Sequence, residues 1–286
     1  MRGKFGLVVV VIVCLLHTFS GISWGEELPL FFTWIQEKAE NGDASSQVDL
    51  GAMFLNGEIV QQNDNEAVKW FLKAAEQGNA SGQSLLGYCY RKGLGVQIDY
   101  AEALKWLRKA ADQGYAEAQN DIGEMYDNGQ GVSENNQEAV KWYQLSAENG
   151  SAQAQFNLAR MYYFGDGVSK NFKESISWGL KSAEQGHVKA QFSLAWSYYH
   201  GEGVPQDFSL AAKWYKMAAE QGDAESQHNL GLMCRNGEGV LKDDTEAAYW
   251  FLKAAEQGVE SSQEAIGSMY YSGRGVPRDA TQTAKW

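Results

Sequence analysis

Proline is scarce in this chain, with three residues among 286, set against 31 glycines. Proline breaks helix interiors and glycine closes helix ends, so the imbalance points to helices punctuated by glycine turns. Long hydrophobic runs are also missing, and a mean hydropathy of −0.43 excludes a polytopic membrane protein. The one apolar segment, Phe5 to Leu16, follows Arg2 and Lys4 and precedes a more polar stretch from His17 to Gly25. Twelve residues are few for a membrane span, and this is the layout of a signal peptide, with Ser23 and Gly25 as the small residues of a cleavage site. Residues 1–25 are therefore expected to be removed, leaving an exported chain that starts near Glu26, with no stable membrane insertion afterwards. An uncleaved anchor is the rival reading. A lipoprotein through Cys14 fits less well, because Val13 stands where a small residue is expected.

Cysteine is nearly absent. With Cys14 lost in the leader, only Cys89 and Cys234 remain, 145 residues apart, which excludes a disulfide framework and leaves packing to hold the fold. Basic residues are outnumbered. The mature chain carries 22 against 36 acidic residues, a formal balance of −14 that repels nucleic acid and anionic lipid. Catalytic motifs are missing too: there is no H-E-x-x-H, C-x-x-C, G-x-S-x-G or complete phosphate loop.

What the chain does have is self-similarity. Trp34, Trp70, Trp106, Trp142, Trp178, Trp214, Trp250 and Trp286 are each 36 residues apart, and Gly42, Gly78, Gly114, Gly150, Gly186, Gly222 and Gly258 keep the same interval. With Ala44 as position 1, full repeats occupy 44–79, 80–115, 116–151, 152–187, 188–223 and 224–259. A half-repeat helix at 26–43 precedes them and an incomplete seventh repeat at 260–286 follows.

Within a repeat, apolar or small residues at positions 1, 7, 8 and 11 form one face of a first helix, as in Ala116, Ile122, Gly123 and Tyr126. Position 4 is always glutamine (Gln47 to Gln263), which predicts an amide bonded within the packing between helices or repeats. Position 8 is always glycine or alanine, where another helix can come close. A glycine at position 14 closes the helix, a G-x-G-V turn follows, and Asp or Asn at position 20 caps a second helix. That helix buries positions 24, 27, 28, 31 and 32, as in Ala67, Trp70, Phe71, Ala74 and Ala75. Ile59 replaces the second turn glycine of the first full repeat, so a reshaped loop is expected there.

The motif A-x-A-Q-x-x-L-G-x-x-Y-x-x-G-x-G-V, followed by D, A, W and A-A-E-Q-G, resembles the Sel-1-like repeat, a relative of the tetratricopeptide repeat, over residues 31–286. The resemblance implies an all-α fold of antiparallel helix pairs, a right-handed α/α superhelical solenoid of 36-residue helix-turn-helix repeats. It also implies a non-catalytic scaffold of the exported bacterial type, periplasmic or secreted, working in envelope signalling, host contact or virulence. Binding or hydrolysis of peptidoglycan or β-lactams, suggested for cysteine-rich relatives, is the alternative, although this chain lacks their paired cysteines.

The resemblance further places a concave partner-binding groove at positions 2, 5, 9, 12 and 13 of the first helices. Early repeats carry mostly small or polar groups there. The fourth supplies Phe156, Arg160, Tyr163 and Phe164, and the fifth Phe192, Trp196, Tyr199 and His200. Aromatic rings beside arginine and histidine are common anchors of protein interfaces. Packing competes with binding for Phe156, Tyr163, Phe192 and Tyr199, since similar residues recur at these positions, as Tyr271 shows. Binding leads for Trp196 and Arg160, whose types recur at position 9 in no other repeat. The expected partner is a protein or peptide, and the unfinished C-terminal repeat offers an apolar edge for self-association. No cofactor or metal site is expected: His200 and His228 lie on adjacent repeats, but no third ligand accompanies them.

Overall fold

The computed structural model describes residues 24–57 and 59–286, so the expected leader lies outside the described residues except for its last two. Glu58, and with it the full course of the loop altered by Ile59, also lies outside them. Among the described residues there are fifteen α-helices and no strand, and none of the helices is long and apolar enough to cross a membrane. The fold is an all-α solenoid of helix pairs. The helices fall into two compact units.

The first unit contains α1 (Trp24–Glu40), α2 (Ala44–Asn56), α3 (Asp64–Glu76), α4 (Ala80–Lys92), α5 (Tyr100–Ala111), α6 (Ala116–Asp127) and α7 (Asn136–Glu148). Its core runs from Ile35 and Met53 through Phe71 and Leu86 to Leu107, Ile122 and Met125. The second unit contains α8 (Ala152–Phe164), α9 (Phe172–Glu184), α10 (Val188–His200), α11 (Phe208–Glu220), α12 (Ala224–Asn236), α13 (Asp244–Glu256), α14 (Glu260–Ser272) and α15 (Ala280–Lys285). One continuous core joins Leu194, Tyr215, Leu230, Phe251 and Ile266.

The helix ends follow the local chemistry. Asn63, Asp99, Asn135, Asn171, Asp207, Asp243 and Asp279 each cap a second helix, accepting a backbone N–H from the first turn through the side-chain oxygen. Most first helices end on a left-handed glycine, as at Gly93 (φ +71°). In α6 the cap is Asn128, and Gly129 takes the left-handed conformation one residue later. The second glycine of the turn serves another purpose. A Cβ on Gly95 would lie 2.2 Å from the Asp64 carbonyl oxygen, and one on Gly239 2.2 Å from that of Phe208. Those glycines, with Gly131, Gly203 and Gly275, let their turns lie against the second helix of the preceding repeat.

The invariant glutamine ties neighbours together. Gln191 donates its Nε2 hydrogen to the Ala183 carbonyl, eight residues back in the preceding repeat, at 3.0 Å. Its Oε1 accepts from Gln221 of its own repeat at 2.8 Å. The pattern recurs at Gln47, Gln83, Gln119 and Gln227. These glutamines are buried, so each satisfies polar groups that would otherwise lack partners away from water. Pairing of position 4 with 34, and of position 8 with 28, shows that the two helices of a repeat run antiparallel.

One ion cluster departs from this apolar scheme. In the first unit, Arg91 of α4 reaches Asp121 at 3.0 Å and Glu124 at 2.8 Å on α6, with Arg91 and Asp121 only 4% and 2% exposed. Burial pushes the Asp121 carboxyl up to about 7, against the opposing pull of the Arg91 guanidinium. The folded value lies above the unfolded one, so protonation favours the fold at low pH, and that contribution fades as pH rises from 3.8 through about 7.

Two variants probe these features. Gln191→Leu removes both ladder bonds and leaves the Ala183 carbonyl and the Gln221 amide without that partner; urea unfolding should show a loss of about 1–3 kcal/mol. Arg91→Met leaves two acids without their cation and should cost about 3–5 kcal/mol, with a visibly larger loss at pH 8 than at pH 5.

Candidate functional site

In four of the six complete repeats a glycine at position 8 of the first helix faces a large side chain at position 28 of the second: a Cβ on Gly123 would lie 2.7 Å from the Tyr143 ring, and one on Gly231 2.8 Å from Phe251. Five of the six complete repeats fill position 28, with Phe71, Leu107, Tyr143, Tyr215 and Phe251, all essentially inaccessible to solvent. In the fourth repeat, position 28 is Gly179. A Cβ added there would meet nothing nearer than Leu194 at 3.6 Å and Ala159 at 3.9 Å.

The missing side chain leaves an apolar cavity of about 350 Å³ between α8, α9 and α10. Phe156, Ala159, Arg160, Tyr163 and Phe164 line it from α8, Ser175 and Ile176 from α9, and Phe192, Leu194 and Trp196 from α10. Of the eight residues singled out from the sequence, the fold thus brings Phe156, Arg160, Tyr163, Phe164, Phe192 and Trp196 to one cavity. Tyr199 and His200 do not line it. His200 is exposed and leans on Trp196, with ring centroids 4.4 Å apart, and on Tyr199 at 5.1 Å.

The tyrosines carry structural bonds as well. Tyr163 donates its hydroxyl to Glu202 and Tyr199 to Glu238, both at 2.8 Å, linking the first helix of one repeat to the turn of the next. The Tyr163 hydroxyl is pushed up by desolvation and the Glu202 bond, and that of Tyr199 by its bond to Glu238 and then by desolvation. Phe156 stacks on His187 at 4.8 Å, and Arg160 Nη2 contacts the Met161 sulfur at 3.9 Å. The pattern of groove positions does not reveal Gly179 and Ile176, which belong to the second helix. The signal for them was the one empty rung at position 28.

Burial pushes the Cys89 thiol up to about 12 and that of Cys234 up to about 11, so neither is an available nucleophile near neutral pH. His228 is bonded to the Ser262 hydroxyl at 2.7 Å, and among the described residues no group of three or more His, Cys, Asp or Glu is placed to hold a metal ion.

The Sel1 repeat family model matches residues 44–79, 80–115, 116–151, 152–187, 188–223, 224–259 and 261–286. The chain belongs to the Sel1 repeat family. It is similar to c5321, a protective antigen present in uropathogenic Escherichia coli strains and displaying an SLR fold, at 35% identity over 89% of this chain with a TM-score of 0.78. This Sel1 repeat chain spans 55% of the length of that antigen. A Sel1 repeat protein from Oxalobacter formigenes is 33% identical, covering 93% of this chain and 78% of its own, with a TM-score of 0.70. The immunity protein Pa5087 from Pseudomonas aeruginosa shares the fold alone, at 19% identity over 74% of this chain and 81% of its own, with a TM-score of 0.52. No curated protein matches the chain. Sel1 repeat proteins are generally non-catalytic protein-interaction scaffolds.

Two glycine substitutions should have opposite signs. Gly179→Ala adds a methyl group to a helix facing open space and should stabilise by about 0.5–1 kcal/mol. Gly231→Ala drives a methyl group into Phe251 and should destabilise by about 1–3 kcal/mol. Urea unfolding of both variants under the same conditions checks the pair.

Proposed function

We propose that this Sel1 repeat protein is an exported, non-catalytic adaptor that binds a protein or peptide partner along the face shared by α8 and α10. The observation that carries the reading is the cavity itself. Its walls combine a cation, Arg160, with the rings of Phe156, Tyr163, Phe192 and Trp196, a composition found at the energetic centres of protein interfaces. Tyr199 and His200 extend the ring cluster beyond the cavity on α10. The signal-peptide layout of residues 1–25 supports a periplasmic or secreted location, and with it a role in envelope signalling or host contact.

Affinity capture from the exported fraction, comparing the full chain with Trp196→Ala, tests the adaptor reading. A partner retained by the unaltered chain should be lost or weakened at least about tenfold by the variant, as expected for truncating a buried aromatic anchor. Equal capture by a folded Trp196→Ala protein removes this face from the function.

A further inference from the structure

We propose that the cavity at Gly179 receives one aromatic side chain of the partner polypeptide. The proposal rests on the adaptor reading above and adds the chemistry of what is bound.

The sibling repeats show what this space accommodates. In two sibling repeats the ring at position 28 meets a ring at position 5 of its own repeat: Tyr215 packs edge-on to Phe192 at 5.9 Å, and Phe251 meets His228 at 5.6 Å. In the fourth repeat the position-5 residue is Phe156, and at position 28 there is only Gly179. The surface that elsewhere receives an internal ring is retained here, while the ring itself is missing. An apolar space on the order of 150 Å³ is enough for a benzene-sized group. The cavity offers about 350 Å³, room for a phenyl or phenol ring together with the chain that brings it.

Phe156, Arg160 and Trp196 are only partly buried, so the cavity opens along the face between α8 and α10.

The methyl groups of Ile176 and Leu194 report directly on the cavity. In the full chain, methyl NMR is followed during titration with two capped dipeptides, acetyl-Asp-Phe-amide and acetyl-Asp-Ala-amide. The Asp-Phe peptide should shift both residues saturably and bind roughly tenfold or more tightly than the Asp-Ala peptide, as the burial of a ring requires. Gly179→Phe, or Gly179→Leu on the pattern of Leu107, should fill the cavity from within and abolish the shifts.

Absence of shifts in the unaltered chain, equal binding of the Phe and Ala peptides, or shifts that persist in a folded cavity-filled variant each overturns the proposal. A concentration-dependent dimer that the Asp-Phe peptide dissociates would make a second copy of this chain the occupant and overturn the assignment to a separate partner. Capture lost on Trp196→Ala but unchanged on Gly179→Leu leaves the adaptor reading standing and overturns the cavity; dipeptide binding with capture unaffected by Trp196→Ala does the reverse.

Discussion

Two helices can pack tightly only where one of them gives up side-chain volume, and in this chain the concession is made at position 8 of every complete repeat. A glycine or alanine there admits the side chain at position 28, and the depth of that insertion sets how closely the pair is drawn together. The tryptophans at position 27 flank this contact and carry lysines over their outer faces, as Lys73 does over Trp70 and Lys181 over Trp178, both at 3.8 Å. With the pair set, turn glycines such as Gly95 and Gly239 bring neighbouring repeats of a unit together and the glutamines fasten them. The candidate site arises where the concession is made on both sides: Ala159 faces Gly179, and neither fills the gap.

The repeat was fully legible from sequence because its determinants are local and periodic. The cap at position 20 acts on the N–H groups of the next turn, and the amphipathic stripes follow from helical spacing. Eight groove residues were legible from the family's geometry, and six of them converge on one cavity. Gly179 was harder to read, because a residue that is missing bulk leaves no motif; it shows only when one column of the repeat is compared down the whole chain. The Arg91–Asp121–Glu124 cluster was opaque for a different reason. Its members come from two repeats and different positions in them, so no single-repeat pattern brings them together.

An unfilled cavity normally lowers stability, since its walls lose contacts on one side. The fold tolerates this one because the remaining fastenings of the fourth repeat are intact. Ser182 donates to the Ala152 carbonyl at 2.6 Å and Gln185 to the Gln155 amide oxygen at 2.8 Å, both away from the opening. The recess therefore costs packing enthalpy without loosening the frame that shapes it. A receptor site is best built on such a frame, because walls already held in place lose little freedom when a ligand arrives.

The glutamine ladder has a consequence for how such a chain can change in length. The rungs at Gln47, Gln83, Gln119, Gln191 and Gln227 each join an amide to a carbonyl eight residues behind it and to a second amide thirty residues ahead, at the same intervals each time. Excision or duplication of a whole 36-residue block brings matching donors and acceptors back into register, whereas a shift of one or two residues inside a block would break several rungs at once. The architecture can thus grow or shrink in complete steps, moving the Gly179 recess along the stack without altering its walls.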